Sequence, residues 1–410
     1  MGHKRDALSR NESGFSMIEL LIYLALLGIL MAMVFSSFTP VMQTSSRQWR
    51  LAETKIESGL GLDLLRADLE HAGFGLPWEF PPGGTPIPYS EPAILADAPN
   101  VPRAVLSEDL SASSMNSSDY LAIKGLNVVL GETSQKWGWL GRDAAHATDV
   151  QSLSDDAFVS TDRVIVIRPQ VSPGEERRLV LLDVPTAEGT NYFAPPTAAF
   201  LTPFAPPETP HDPDGERHLI YGLNNDNGIS RPFNRTDYYI NNASVPQQCA
   251  PGTGTLAKAT LNQANNSFIP LPIMDCVADF QVVYYLDTDG DGGWDARANA
   301  GGLTGMTAQQ IRDQVKSIRC YILTHEGGVD REYTHPLDPV TGLPTINVGE
   351  VAADGITLQL TGDRNAPTAP PAGRAFDLST LPPPPPGIVT TWRNYRWKVY
   401  SIAVTPKNLQ

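Results

Sequence analysis

The chain has 410 residues, of which 41% are hydrophobic and 18% charged, so its composition is that of a folded protein rather than a disordered one. Its formal net charge of −15 and its lack of a Lys/Arg cluster exclude the broad cationic surface with which proteins bind nucleic acid. Its three cysteines are too few for a disulfide-rich scaffold and lack the C-x-x-C spacing of many metal sites.

A long apolar run follows a short basic segment at the N-terminus. Residues 15–38 read FSMIELLIYLALLGILMAMVFSSF and contain one charged side chain, Glu19. A helix of that length measures about 36 Å, which is enough to cross the hydrocarbon core of a bilayer. The run is too long for the apolar part of a secretory signal peptide, and the basic residues before it favour a cytoplasmic N-terminus. A plain membrane anchor does not explain Glu19, because an ionised carboxylate in such a run is unfavourable unless it is paired.

Residues 14–21, GFSMIELL, resemble the prepilin cleavage and methylation motif that type IV pilins share with type II secretion pseudopilins. The resemblance implies that prepilin peptidase cuts after Gly14 and that Phe15 becomes the N-methylated first residue of the mature chain. It also implies that Glu19 pairs with the N-terminal amine of a neighbouring subunit during assembly. We therefore expect a leader at 1–14, a transmembrane helix at 15–38 and a periplasmic stem of that helix at 39–76.

The remainder of the chain, residues 77–410, is predicted to be an exported head domain rich in β-structure. Short runs of β-branched and aromatic residues, separated by Pro- and Gly-rich loops, predict the strands of a mostly antiparallel sheet system. These runs are residues 120–123, 163–167, 179–182, 218–221, 280–286, 318–323, 356–360 and 395–404. The predicted fold class is α+β, with one long N-terminal helix followed by a large pilin-like head.

Two further segments are similar to PilW-type minor pilins. Residues 275–292 place a strand before an Asp/Gly turn, and residues 395–409 are similar to the last strand of that family, so 275–410 is the most PilW-like region. The resemblance implies a minor pilin that takes part in the initiation or assembly of a type IV pilus, at or near its tip. Other major and minor pilins would be its partners through the N-terminal helix. It would reside first in the inner membrane, with a cytoplasmic leader and a periplasmic head, and then in the pilus at the cell surface.

An acidic loop follows the strand predicted at 280–286. Its sequence, DTDGDGGWD over residues 287–295, places carboxylates at the first, third, fifth and ninth loop positions, and a glycine at the sixth permits a sharp turn. This spacing is typical of calcium loops, in which several oxygen ligands surround one ion. The predicted Ca²⁺ ligands are Asp287, Asp289, Asp291, the carbonyl of Gly293, and Asp295. The twelfth position is not the glutamate that completes an EF-hand, and the alternative is a metal-free acidic turn stabilised by Asp and Gly.

The cysteines offer one structural bridge. Cys249 and Cys276 flank a loop, and joining them would stabilise the fold by roughly 3–4 kcal/mol through the restricted unfolded chain. Export to an oxidising compartment would permit this disulfide. Cys320 lies in a strand-like run and is expected to be a small core residue, although it is also an alternative partner for either of the other two cysteines.

No pattern in the sequence predicts an enzyme. The chain contains no nucleophile elbow or P-loop, and His325-Glu326 lacks the second histidine of a zinc protease motif. The prediction is a structural minor pilin. The alternatives are a minor pseudopilin of a type II secretion system, a calcium-dependent tip adhesin, and a membrane-tethered hydrolase, which would need a catalytic cluster formed only by folding.

Overall fold

The computed structural model describes residues 16–80, 86–142, 148–170, 176–182, 191–206, 216–224, 228–339, 342–350, 372–383 and 391–409. The chain divides into two compact units between Glu53 and Thr54.

The described residues form three α-helices and fifteen strands. The helices are α1 (Met17–Glu70), α2 (Ala198–Leu201) and α3 (Ala308–Gln314). The strands are β1 (Val105–Glu108), β2 (Tyr120–Gly125), β3 (Trp137–Arg142), β4 (Thr148–Ser152), β5 (Arg163–Arg168), β6 (Arg178–Leu179), β7 (His218–Asn224), β8 (Asn234–Asn241), β9 (Gly254–Leu261), β10 (Phe268–Leu286), β11 (Ala296–Asn299), β12 (Val315–Glu326), β13 (Thr345–Gly349), β14 (Gly373–Asp377) and β15 (Arg396–Val404).

In the first unit, the described residues after Ser16 form the N-terminal part of α1. The side chains from Ser16 to Phe38 are all exposed, although nearly all of them are apolar. By length and composition, Met17–Phe38 is able to cross a membrane, and it is the one such helix among the described residues. This agrees with the transmembrane segment predicted at 15–38, of which Phe15 lies outside the described residues.

The second unit contains three antiparallel sheets. Seven strands of the largest sheet follow the order β1-β2-β8-β9-β10-β12-β15, and β11 pairs with β10 as the eighth. A five-stranded sheet has the order β4-β3-β7-β5-β6, and β13 and β14 form a separate pair. All strand pairs within these sheets are antiparallel. The α+β fold with a mostly antiparallel, β-rich region is therefore confirmed.

Most of the predicted strands are present. The runs predicted at 120–123, 163–167, 218–221, 280–286 and 318–323 lie in strands of the structure, and the run at 395–404 lies in β15 except for its first residue. The run at 179–182 was wrong in extent, because β6 ends at Leu179 and the chain continues with single hydrogen bonds such as Val180 N–H to Val166 O, at 2.9 Å. The run at 356–360 lies outside the described residues.

The stem helix ends earlier than its predicted limit at residue 76. Its last helical residue is Glu70, and residues 71–75 form turns. Gly73 and Gly75 have φ angles of +81° and +67°, in the left-handed region that L side chains rarely adopt. A helix cannot continue through this backbone conformation, so these two glycines turn the chain away from the helix axis.

The main core lies between the C-terminal part of α1, one face of the eight-stranded sheet and the inner face of the five-stranded sheet. Leu65 and Leu69 of α1 belong to it and are fully buried, as are Ile165 of β5 and Phe280 of β10. A second cluster on β12 and β15 includes Leu323 and residues of β13–β14. Two smaller apolar clusters are also present among the described residues, so the sheets form layers around several apolar interiors.

Candidate functional site

The start of α1 carries one acidic side chain. Glu19 lies in the first turn, and its backbone N–H donates to the carbonyl of Ser16 at 3.0 Å. A carboxylate in this position is favoured by the positive end of the helix dipole. Among the described residues, no cation lies within ion-pair distance of the Glu19 carboxylate. Gly14 and Phe15, the predicted cleavage and methylation residues, lie outside the described part of the chain.

The predicted calcium loop connects two strands of one hairpin. Leu286, the last residue of β10, pairs with Ala296, the first residue of β11, so residues 287–295 form the connection. The Asp287 N–H donates to Gln314 O at 2.8 Å, and the Asp295 N–H donates to Leu286 O at 2.9 Å. Both ends of the loop are therefore fixed to regular structure. No helix flanks it as in an EF-hand.

Three carboxylates of this loop lie close together. Asp287, Asp289 and Asp291 each offer an oxygen atom, and these oxygens all lie within 4.8 Å of one another. Backbone N–H groups orient them: Gly290 donates to Asp287 at 2.6 Å and Gly293 donates to Asp291 at 2.7 Å. This arrangement of hard oxygen atoms fits the ligand chemistry of Ca²⁺.

Asp287 differs from the other two because it is buried and already has a cationic neighbour. The Lys316 ammonium lies 3.2 Å from Asp287 Oδ2. Burial opposes ionisation of this carboxyl, but the N–H groups of Gly290 and Gly292, together with Lys316, outweigh that effect and lower the pKa of Asp287. Asp287 is therefore a carboxylate at neutral pH, as a metal ligand must be.

Asp295 lies outside this group of three carboxylates. Both oxygens of Asp295 accept hydrogen bonds from Thr288, one from its N–H at 2.9 Å and one from its hydroxyl at 2.7 Å. Asp295 therefore closes the loop onto its second residue. Its role as a ligand, and that of the Gly293 carbonyl, stay predictions.

The predicted disulfide is present. Cys249 and Cys276 are bonded at 2.04 Å, whereas Cys320 is a free, buried thiol in β12. His325 lies beside the bridge, where its Nε2 accepts the N–H of Ala250 at 2.8 Å and its Nδ1 contacts Gly327 O at 3.0 Å. Burial lowers the pKa of His325 to about 3, so the ring is neutral in the folded chain.

The head also contains buried ion clusters that the sequence did not reveal. Lys124 is fully buried and lies 2.7 Å from Glu91 and 2.6 Å from Asp97. The Arg235 guanidinium contacts the same Glu91 at 3.1 Å and Asp237 at 2.7 Å. Burial alone would raise the pKa of Glu91, but Lys124 and Arg235 reverse this and lower it. These groups hold β2 and β8 to the loop before β1.

A second cluster surrounds Glu350. Its carboxylate accepts hydrogen bonds from the hydroxyls of Tyr285 and Tyr321 and from the guanidinium groups of Arg297 and Arg319. Burial opposes the ionised form of Glu350, and these donors outweigh it and lower its pKa. No local sequence signal could have found this cluster, because β10, β11, β12 and the residue that follows β13 each supply a part of it.

Comparison with known proteins identifies the N-terminal segment. Residues 9–35 match the family model described as the prokaryotic N-terminal methylation motif. The match supports a type IV pilin-like or pseudopilin-like chain, and the motif implies processing by prepilin peptidase and association with pilins in general. It covers none of residues 275–410, so the PilW-like resemblance stays a prediction. No curated protein and no solved structure matches the chain.

Proposed function

We propose that this chain is a minor pilin, a structural subunit that takes part in the initiation or assembly of a type IV pilus. The observation that supports this most directly is the methylation motif at residues 9–35, which leads into the apolar helix Met17–Phe38. The second unit, Thr54–Gln410, is large. A head of this size is more easily accommodated at a filament end than along a packed shaft, so we propose a position at or near the tip.

The proposed role is assembly rather than catalysis. Glu19 would pair with the methylated amine of Phe15 on a neighbouring subunit once the leader has been removed. An acidic side chain without a cationic partner among the described residues of its own chain fits this role. The rival is a minor pseudopilin of a type II secretion system, which would use the same N-terminal chemistry.

Leader removal is the first test. Gly14→Ala should block cleavage, and intact-mass analysis of the membrane fraction should then find the chain with residues 1–14 still attached. Gly2→Ala is the matched control, because Gly2 lies outside the matched residues 9–35 and should leave processing unchanged. Normal processing of the Gly14 variant would reject the assignment. Mass spectrometry of sheared pili, compared with that of isolated secretion complexes, separates the pilus from the secretion alternative.

We also propose that the 287–295 loop binds Ca²⁺. The observation that favours this is the approach of Asp287, Asp289 and Asp291 to within 4.8 Å of one another. Calcium should raise the melting temperature of the purified chain, and Asp289→Ala should abolish that increase. Asp313→Ala, on the helix α3, is a control that should preserve it. A melting temperature that calcium leaves unchanged would reject the site.

The same variant separates two uses of calcium. If Asp289→Ala chains still enter pili but the cells lose calcium-dependent surface attachment, the loop serves a tip adhesin. If the variant is absent from pili, calcium serves folding or assembly of the head.

A further inference from the structure

An open cavity of about 660 Å³ lies beside the 287–295 loop, and the three clustered carboxylates of that loop are not among its lining residues. Trp294 from the loop, Tyr285 from β10, and Lys316, Ser317 and Arg319 from β12 line it, and Thr405 forms part of its rim. Cavities of this size commonly hold small organic ligands. The chemistry of its walls therefore indicates what it would bind.

One wall is aromatic and rigid. The Trp294 ring meets the Tyr285 ring edge-on, with 4.8 Å between centroids and an angle of 88°. Tyr285 is 1% exposed, and its hydroxyl is hydrogen-bonded to Glu350. Trp294 is only half-buried, so part of its indole remains accessible at the cavity. An exposed ring that is held in place suits the apolar face of a flat ligand.

Two cationic side chains, Arg319 and Lys316, also line the cavity. The Arg319 guanidinium lies 4.4 Å above the Tyr285 ring and donates to Glu350 at 2.9 Å, while its Nε–H has no acceptor among the described residues. The Arg319 side chain is 31% exposed and that of Lys316 is 24% exposed. The Glu350 carboxylate already accepts hydrogen bonds from four donors. The acidic group of a bound ligand would therefore supply the acceptors that Glu350 cannot offer to these cations.

Hydroxyl groups complete the lining. The Ser317 hydroxyl donates to Val404 O at 3.1 Å and keeps its acceptor positions, and Thr405 is exposed. Lys316 already pairs with Asp287 and Arg319 with Glu350, so a purely apolar ligand would cover these ion pairs and still leave the Arg319 Nε–H without an acceptor. A nucleic acid would require a row of cations along its phosphates, and a chain of net charge −15 does not offer one here.

We propose that this cavity binds an acidic saccharide. The sugar ring would lie against Trp294, its carboxylate would meet Arg319 and Lys316, and its hydroxyls would bond to Ser317 and Thr405. This binding site goes beyond the assembly role and is independent of it, because it requires neither leader cleavage nor Glu19. It would give the head a ligand whether the chain serves a pilus or a secretion system.

The test is a titration of the detergent-solubilised full chain with a disaccharide that contains a hexuronic acid. A neutral disaccharide of the same ring size serves as the ligand control. We expect saturable binding of the acidic sugar that weakens as salt is added, and no binding of the neutral one. Lys316→Gln should weaken binding about tenfold, the effect of one lost charge-assisted hydrogen bond.

Lys398→Gln is the matched protein control. Lys398 also lies on a strand of the large sheet and pairs with a carboxylate, Glu326, at 3.1 Å, but it does not line the cavity. Its replacement should leave binding unchanged. Thr405→Trp fills the rim without altering charge and should abolish binding while the melting temperature is preserved.

Three results would overturn the proposal. They are the absence of saturable binding of the acidic disaccharide, equal binding of the neutral one, and equal losses in the Lys316 and Lys398 variants. A folded Thr405→Trp chain that binds normally would also place the ligand elsewhere.

Discussion

The two units of this chain differ in whether their charged side chains have counter-ions among the described residues. The apolar segment Met17–Phe38 carries a single ionisable acid, Glu19, with no counter-ion among the described residues. The larger unit buries many charges, and its two main clusters, around Glu91 and Glu350, supply their own cations from strands that are distant in sequence. The difference indicates that these two clusters of the larger unit contain their own counter-ions, whereas we expect the helix to find its counter-ion on another molecule.

The largest expected effect is at Glu19, the one carboxylate of the apolar helix segment. Glu19→Ala should leave the chain processed and inserted but reduce its amount in sheared filaments by more than tenfold, since the pairing with a neighbouring amine is lost. Quantitative immunoblotting of filament and membrane fractions measures this. Ser37→Ala, also on the exposed surface of α1, should have no such effect. Normal incorporation of the Glu19 variant would show that the acid has no intermolecular partner.

The next largest effect concerns the buried ion cluster around Glu91. Lys124→Met should destabilise the head by about 3–5 kcal/mol, because Glu91 and Asp97 lose a buried counter-ion. Denaturant unfolding of the full chain measures the loss. Lys398→Met, at a side chain that is 48% exposed, should cost less than about 1 kcal/mol. Equal losses would mean that burial does not distinguish the ion pairs of this head.

The disulfide contributes to the head in another way, by restricting the unfolded chain. Cys276→Ser should lower the free energy of unfolding by about 3–4 kcal/mol under oxidising conditions, given the 27-residue separation of the bridged cysteines. In reductant the variant and the parent chain should become nearly equal. Cys320→Ala is the control, because its loss should be the same with and without reductant. A deficit of Cys276→Ser that persists in reductant would point to packing instead.

The smallest effect depends on pH. His325 has a folded-state pKa of about 3 against an ordinary value of 6.5, so the unfolded chain binds a proton that the folded chain does not. Its contribution to stability is therefore present above pH 6.5 and is lost as pH falls toward 3. From pH 7 to pH 5 the loss is about 2 kcal/mol. A His325→Gln chain should lack this part of the pH dependence. Free energies of unfolding that fall equally with pH in the variant and the parent chain would contradict the prediction.

The strands that bury mainly apolar side chains could be predicted from the sequence. Runs such as RVIVI in β5 and VVYYL in β10 have the composition of buried strands, and the structure contains both. β8 and β9 escaped prediction because NRTDYYIN and GTLAKATL contain charged residues that are buried in ion pairs. The first half of β10 was missed because Pro270 and Pro272 argue against a strand.

The candidate sites show the same division. The acidic loop and the methylation motif are local patterns, so their residues could be named from spacing. The cluster of Glu91 with Arg235 joins residues that are 144 positions apart, and the cavity beside Trp294 is formed by two strands, the 287–295 loop and Thr405. Such groups exist only after the sheet has set the register, and no spacing rule describes them.

The order of the large sheet has a further consequence for how this head tolerates change. Neighbouring strands β2 and β8 pair directly, with Gly125 opposite Asn234, although the whole five-stranded sheet lies between them in sequence. Residues 126–233 thus leave the large sheet and return to it at adjacent positions, as a hairpin turn does. A shorter or longer excursion would preserve the register of every strand in the large sheet. The constraint on such a change is the main core, to which Ile165 and Tyr221 of this segment contribute, so the connecting loops of the segment can change in length more readily than its strands.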